Sequence, residues 1–197
     1  MFEDRTDAGH QLAEALQGLL APGGVVLDVA CGTGQNFDLV CAAVGDGGRV
    51  VGVDRSKGML RQARRRVARA GWPNVTLVEG DAQALAAPAL GAATPEGGFD
   101  GVVCTLGLSA MPAWEAAFGH AFDLLRPGGR FVILDVHADA RTLQTRLVEL
   151  TARADLAREV WRPLERRCED FRMDDLDAPA GVFGGRLFVA SGTRPAG

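Results

Sequence analysis

Residues 25–36, VVLDVACGTGQN, decide how the rest of the chain is read. Val25, Val26, Leu27 and Val29 surround a single acid, Asp28, in the manner of a strand buried on both faces. The apolar run stops at Cys31-Gly32-Thr33-Gly34, where residues without bulky side chains let the backbone turn sharply and approach a ligand closely. A helical pattern begins at about Asn36. Strand, glycine turn and helix start together aim backbone N–H groups at an anionic group. A dinucleotide fingerprint would carry a third glycine three residues after Gly34, where Phe37 stands.

Outward from this stretch, strand and helix patterns alternate. Leucines at helical spacing predict a helix over residues 6–20, ended by Pro22-Gly23-Gly24. Strands are expected at Val25–Val29, Arg49–Asp54, Val75–Glu79, residues 99–104 and residues 130–136. Helices are expected over 36–44, 56–70, 114–125 and 141–160, with a short helix and loop over 82–95. Two last strands, 168–173 and 183–190, are joined only by a loop, so they pair antiparallel or lie apart. The alternation implies an α/β fold with a parallel sheet, right-handed crossovers and helices on both faces. With 197 residues and no linker or repeat, residues 1–197 read as a single domain, 1–23 as an N-terminal helical segment and 24–192 as the core.

Composition narrows the function. Hydrophobic residues at 47% and charged residues at 23% are ordinary for a globular chain and argue against disorder. A net charge of −4 gives no global attraction to nucleic acid or anionic membrane. The four cysteines have no metal-ligand spacing, the N-terminus is unlike a signal peptide, and no apolar stretch is long enough to cross a bilayer. A cytoplasmic, reduced location is the expectation.

Several residues carry candidate chemistry. Asp54 ends the second strand twenty residues after Gly34, where a carboxylate can accept from both hydroxyls of a ribose. By residue type alone, Asp54 or Ser56 could instead cap a helix, Met59 could be core, and Asp81 could cap a short helix. Asp28 is costly to bury unless it is paired.

Asp28-Val29-Ala30-Cys31-Gly32-Thr33-Gly34 resembles motif I, D-x-G-x-G-x-G, of class I S-adenosylmethionine (SAM) dependent methyltransferases, with Ala30 as a sterically mild departure at the first glycine. Residues 53–60, VDRSKGML, resemble that family's V-D-x-S-x-x-M-L, and Leu125-Arg126-Pro127-Gly128-Gly129 its L-x-P-G-G turn. The resemblance covers about residues 24–192. It implies a Rossmann-like, seven-stranded, mostly parallel sheet whose antiparallel last strand inserts beside the fifth. It implies SAM as cofactor and S-adenosyl-L-homocysteine as product. In that match Asp54 holds the ribose, and Arg55 and Met59 lie against the adenine. The Asp81 carboxylate and Ala82 N–H meet the adenine edge. Ala30, Gly32 and Gly34 form the turn, and Asp28 holds turn N–H groups or, through water, the ligand's ammonium. Cys104 and Leu106 bracket a carbonyl for that ammonium and a wall beside the methyl.

Methyl transfer from a sulfonium needs alignment more than acid–base work, and only a hydroxyl acceptor calls for a base. His137, just past the fifth strand, is the candidate base, with Asp135, Ser109 and His10 behind it and His120 less apt. No acid/His cluster suggests a magnesium site. Lys57, Arg61, Arg64, Arg65, Arg66 and Arg69 could meet tRNA or acidic lipid, but read more simply as a solvated helix face. Trp114 and Trp161 read as packing rather than substrate enclosure. The chain has no tyrosine and no Asn-Pro-Pro-Tyr, unlike enzymes that methylate amino groups of DNA and release factors. Residues 106–114 and 183–192 resemble phospholipid N-methyltransferases and quinone-biosynthesis methyltransferases. Little chain precedes the first strand, so an open site is expected. The expected function is methyl transfer to a small-molecule or lipid-headgroup acceptor, with no nucleic-acid partner; a homodimer is compatible with it. The alternatives are a SAM-binding partner subunit without activity, or another SAM-type transferase.

Overall fold

The computed structural model describes Leu16 and residues 19–140, 142–176 and 184–196. Among them are seven strands: β1 (Val25–Val29), β2 (Arg49–Asp54), β3 (Val75–Glu79), β4 (Phe99–Thr105), β5 (Leu125–His137), β6 (Glu169–Asp175) and β7 (Arg186–Thr193). They form one sheet in the order β3-β2-β1-β4-β5-β7-β6. β1 to β5 run parallel, and β7 enters antiparallel between β5 and β6. This is the Rossmann-like fold class expected from the sequence, down to the insertion of the last strand beside the fifth. The helices of more than one turn are α1 (Phe37–Val44), α2 (Lys57–Ala70), α3 (Trp114–Leu124), α4 (Leu143–Ala152) and α5 (Arg162–Arg167).

The pleat sorts successive side chains to opposite faces and so makes two cores. On one face Leu27, Val29, Val51, Phe131 and Ile133 pack under α3 and α5, with Phe118 stacked on Phe131 at 4.9 Å. On the other, Val26, Val50, Val132 and Leu134 pack under α1 and α2, together with Leu16 and Leu20. α2 starts where the Ser56 side chain accepts from the Met59 N–H and stops at Gly71, φ 70°. α3 ends where the Arg194 guanidinium donates to the carbonyls of Phe122, Asp123 and Leu125.

Three local expectations change, and one is refined. The helix expected over 141–160 breaks after Ala152, because Arg153 turns left-handed (φ 52°) and the Ala154 N–H returns to the Glu149 carbonyl. Leu156 then dives into the core, where its carbonyl accepts from Ala138 N at 2.8 Å, and Pro163 sits in the first turn of α5. β5 begins at Leu125, opposite Phe99, so the Pro-Gly-Gly stretch lies within it and the register shifts between Phe99 and Gly101. Residues 82–95 make two 3₁₀ turns around the single-turn helix Ala87–Leu90. The last two strands lie a few residues later than expected, at Glu169–Asp175 and Arg186–Thr193. Most of the helix expected over 6–20, and His10 with it, lies outside the described residues.

Ala30 is a less mild departure than its size suggests. Its φ is 56°, a left-handed conformation that costs a residue bearing a Cβ about 1 kcal/mol. Ala30→Gly is therefore expected to stabilise the fold by about 1 kcal/mol. Denaturant unfolding at equilibrium checks this, and a lower midpoint for the glycine variant would contradict it.

Candidate functional site

The chain leaves β1 through three left-handed residues, Ala30, Gly32 (φ 55°) and Gly34 (φ 70°). Gly34 is held against the Phe37 ring at the start of α1, which a Cβ there would overlap. Gly32 is the opposite case, since a Cβ there would meet nothing within 4 Å and would point into open space. The Gly32 N–H donates to Asp54 Oδ2 at 2.9 Å, and the Ser56 N–H donates to Asp54 Oδ1 at 2.7 Å. One carboxylate thus ties the β1 turn to the tip of β2 and to the start of α2. Asp28 was expected to hold turn N–H groups or, through water, the ligand's ammonium; the structure gives the first of these roles to Asp54.

Above these tips lies a cleft of about 290 Å³. Ala30, Gly32, Asp54, Arg55 and Met59 line one side, and Asp81 and Ala82 line the adjoining floor after β3. Asp81 Oδ1 accepts from the Gln83 N–H at 2.9 Å, and this bond, with the Gln83 side chain, holds its carboxyl below the usual range. The roof is the segment after β4: Leu106, Gly107, Ala110, Met111 and Pro112. Leu106 is itself left-handed (φ 52°) and 44% exposed, with its N–H donated to Leu134 O at 2.7 Å.

Four predicted residues do not line the cleft. Gly34 is behind the turn. Cys104 is buried, and its sulfur would stand 2.8 Å from a Cβ at Gly107; burial pushes its thiol well up, so it is inert. Asp28 is 1% exposed, and neither carboxylate oxygen has a hydrogen-bond partner among the described residues. Burial, and secondarily the Asp54 charge, raise its pKa to about 7. His137, the expected base, lies outside the cleft lining. β5 runs on to pair His137 with Arg186, and the strand alternation places the imidazole on the Ile133 side. There it meets the edge of Trp161 at 4.8 Å, while Nε2 faces Asp139 Oδ1 at 3.2 Å. Trp161 packs in turn on Phe188, and Trp114 on the core under α3, so both tryptophans are packing residues.

Asp135 and Ser109, weighed as proton carriers, are instead a buried tether. The Asp135 carboxylate accepts from Ser109 Oγ at 2.6 Å and Ser109 N at 3.0 Å. Arg158, from the segment after α4, donates to the Ser109 and Met111 carbonyls, and the Asp155 N–H to Ser109 O at 2.9 Å. Gln83, which sequence reasoning missed, joins floor to roof by accepting from Ala113 N at 2.8 Å. The Asp81-x-Gln83 spacing, an Asx turn, was the available signal.

A sequence model of the methyltransferase domain matches residues 26–129. A curated demethylmenaquinone methyltransferase from Symbiobacterium thermophilum is 38% identical over 115 residues, 58% of this chain and 43% of that protein. The chain therefore spans less than half the length of this curated relative. Among solved structures, a SAM-dependent methyltransferase from Aquifex aeolicus superposes with a TM-score of 0.64 at 16% identity, covering 94% of this chain and 89% of that one. The [4+2]-cyclase SpnF does so at 0.71 and 17%, covering 95% and 82%. These two likenesses are of fold. With more than half of its length matched by the family, the chain belongs to the class I SAM-dependent methyltransferases.

Proposed function

We propose that the cleft binds SAM and that the protein moves its methyl group to a small, largely apolar acceptor of the quinone-biosynthesis type. The observation that carries the reading is the convergence of Asp54, Asp81 and the bare Gly32 backbone on one cleft, with the orphan carboxylate of Asp28 buried behind it. The residues fit the cofactor chemically. Each Asp54 oxygen accepts one backbone N–H and keeps a lone pair free for a ribose hydroxyl. Asp81, held anionic, can accept from an adenine amino group, and Ala82 offers its N–H beside it. Arg55 and Met59 supply a wall.

The group supplies an activated methyl on sulfur; the chain aligns it and keeps water out. Asp28 is the counter-charge. Without a cation near it the carboxyl stays half-protonated near neutral pH, and an ammonium brought close favours the carboxylate. The apolar roof of Leu106, Ala110, Met111 and Pro112 suits a flat hydrophobic acceptor. The named activity of the curated relative supports that class.

The direct test is transfer of radiolabelled methyl from SAM to a reduced naphthoquinone lacking its ring methyl, beside phospholipid, RNA and protein fractions. Label in the quinone fraction is expected; label in RNA alone would overturn the reading. Asp54→Ala should weaken SAM binding by about 1–3 kcal/mol, read by calorimetry, because two ribose hydroxyls lose their acceptor. Unchanged affinity would remove Asp54 from the site.

Asp28 sets a pH dependence. Its folded pKa, about 7, lies above the ordinary carboxyl value, so the folded ligand-free protein binds the extra proton. The stability it contributes is fully present below the unfolded value of 3.8 and is lost as pH rises through about 7. Unfolding between about pH 4 and 8 should show this downward slope, and Asp28→Asn should flatten it. SAM affinity should move the other way, rising through about pH 7. An Asn variant with the wild-type slope would contradict the assignment.

A further inference from the structure

Residues 55–69 hold seven of the chain's 21 lysines and arginines and no Asp or Glu, although the chain as a whole is acidic. At about 100° per residue, Lys57, Arg61, Arg64, Arg65 and Arg69 fan over about 140° of α2, opposite the Leu60, Ala63 and Val67 side that packs on the sheet. All five cations are exposed. Among the described residues the ion pair made by this face is Lys57 to Glu79, at 3.7 Å between exposed groups. An ordinary solvated helix interleaves acids at three- and four-residue spacing. Here those spacings set cation against cation, Lys57–Arg61, Arg61–Arg65 and Arg65–Arg69, so the face is built for an anion that the described residues do not supply.

A second observation selects the anion. α4 packs on the same face of the sheet as α2, through Val148, and begins, like α2, past the strand ends that carry the cleft. Its outer side carries Leu143, Leu147 and Leu150, exposed by 86%, 61% and 77% and lying within about 60° of one another. Arg146 is exposed beside them. We propose that α2 and α4 together dock this face on an anionic lipid bilayer, the arginines of α2 on the headgroups and the leucines of α4 in the acyl boundary. RNA would match the cations, but it gains nothing from a leucine stripe, and single-stranded readers present exposed aromatics, which α2 lacks. The two helices lie over opposite ends of one sheet face, α2 by β3 and α4 by β5 and β7, and together they offer the basic and apolar contacts that interfacial binding combines. The lack of global attraction at a net charge of −4 does not decide this face, because screening confines the interaction to charges within about 10 Å of the surface.

The test needs no methyl transfer, so it stands or falls apart from the proposed activity. The full chain is sedimented with phosphatidylcholine vesicles, with and without roughly 30% phosphatidylglycerol. Binding is expected with the anionic vesicles and should fall steeply as salt rises. A cation near such a surface contributes roughly fivefold in affinity, so the fourfold variant R61Q/R64Q/R65Q/R69Q should lose about 600-fold if all four arginines reach the headgroups and about 25-fold if two do. L143Q/L147Q/L150Q should lose the part of the binding that survives high salt. All seven positions are exposed, and unchanged circular-dichroism melting confirms that the variants fold. Wild-type binding by the arginine variant, no binding to anionic vesicles at low salt, or tighter binding to an RNA oligonucleotide than to vesicles would each overturn the proposal. A leucine-dependent dimer in sedimentation equilibrium without lipid would overturn it for α4.

Discussion

The site depends on the Asp54 carboxylate, which takes one N–H from the turn after β1 and one from the start of α2. Neither partner is a side chain, so the clamp constrains backbone directly. It joins the tips of two adjacent strands whose spacing is already set by the parallel ladder, in which Val29 pairs with Val53. The turn it holds is unfavourable in isolation, with left-handed residues at Ala30, Gly32 and Gly34. A carboxylate bonded to N–H groups is among the stronger neutralising contacts available at a helix start. The conformation that exposes Gly32 to the cleft is thus sustained by the same acid that faces the cleft.

Charge around that clamp is uneven by design of the fold. Asp54 and Asp81 are both bonded to backbone donors, and in Asp81 those bonds hold the carboxyl below its usual range, so it stays an ionised acceptor. Asp28, level with Gly52 and so two strand positions deeper than Asp54, has no donor among the described residues and a raised pKa. The difference comes from burial rather than sequence neighbourhood: all three are acids in or just after strands β1 to β3. A fold that buries a carboxyl without a partner leaves a preference for whatever cation can reach it. Fold alone does not fix the chemistry done there, as a cyclase with the same architecture illustrates.

Much of this was legible in the chain. Strand periodicity, the glycine turn and the spacing to Asp54 placed β1 to β5 and most of the cleft floor, because those signals are local. What escaped was set by tertiary contact. The break after Ala152 depends on Leu156 finding a core position, which no helical pattern reveals. The left-handed strain at Ala30 is invisible in a residue of such small size. His137 looked available because it follows a strand, but β5 continues beside β7 and carries the ring under Trp161. Asp135 and Ser109 looked like proton carriers until their mutual 2.6 Å bond was seen.

The antiparallel entry of β7 beside β5 also bears on how the chain assembles. β5 is apolar along its central run, and its second edge is satisfied only by a strand that begins 49 residues after β5 ends, at Arg186. While the chain leaves the ribosome, that edge stays open after the other four parallel strands could already be paired. An unpaired apolar edge recruits other strands, so the interval before β7 arrives is the window in which nascent molecules are prone to aggregate. Closing a pairing across that separation is also slow relative to local contacts, which places completion of the sheet among the last steps of folding.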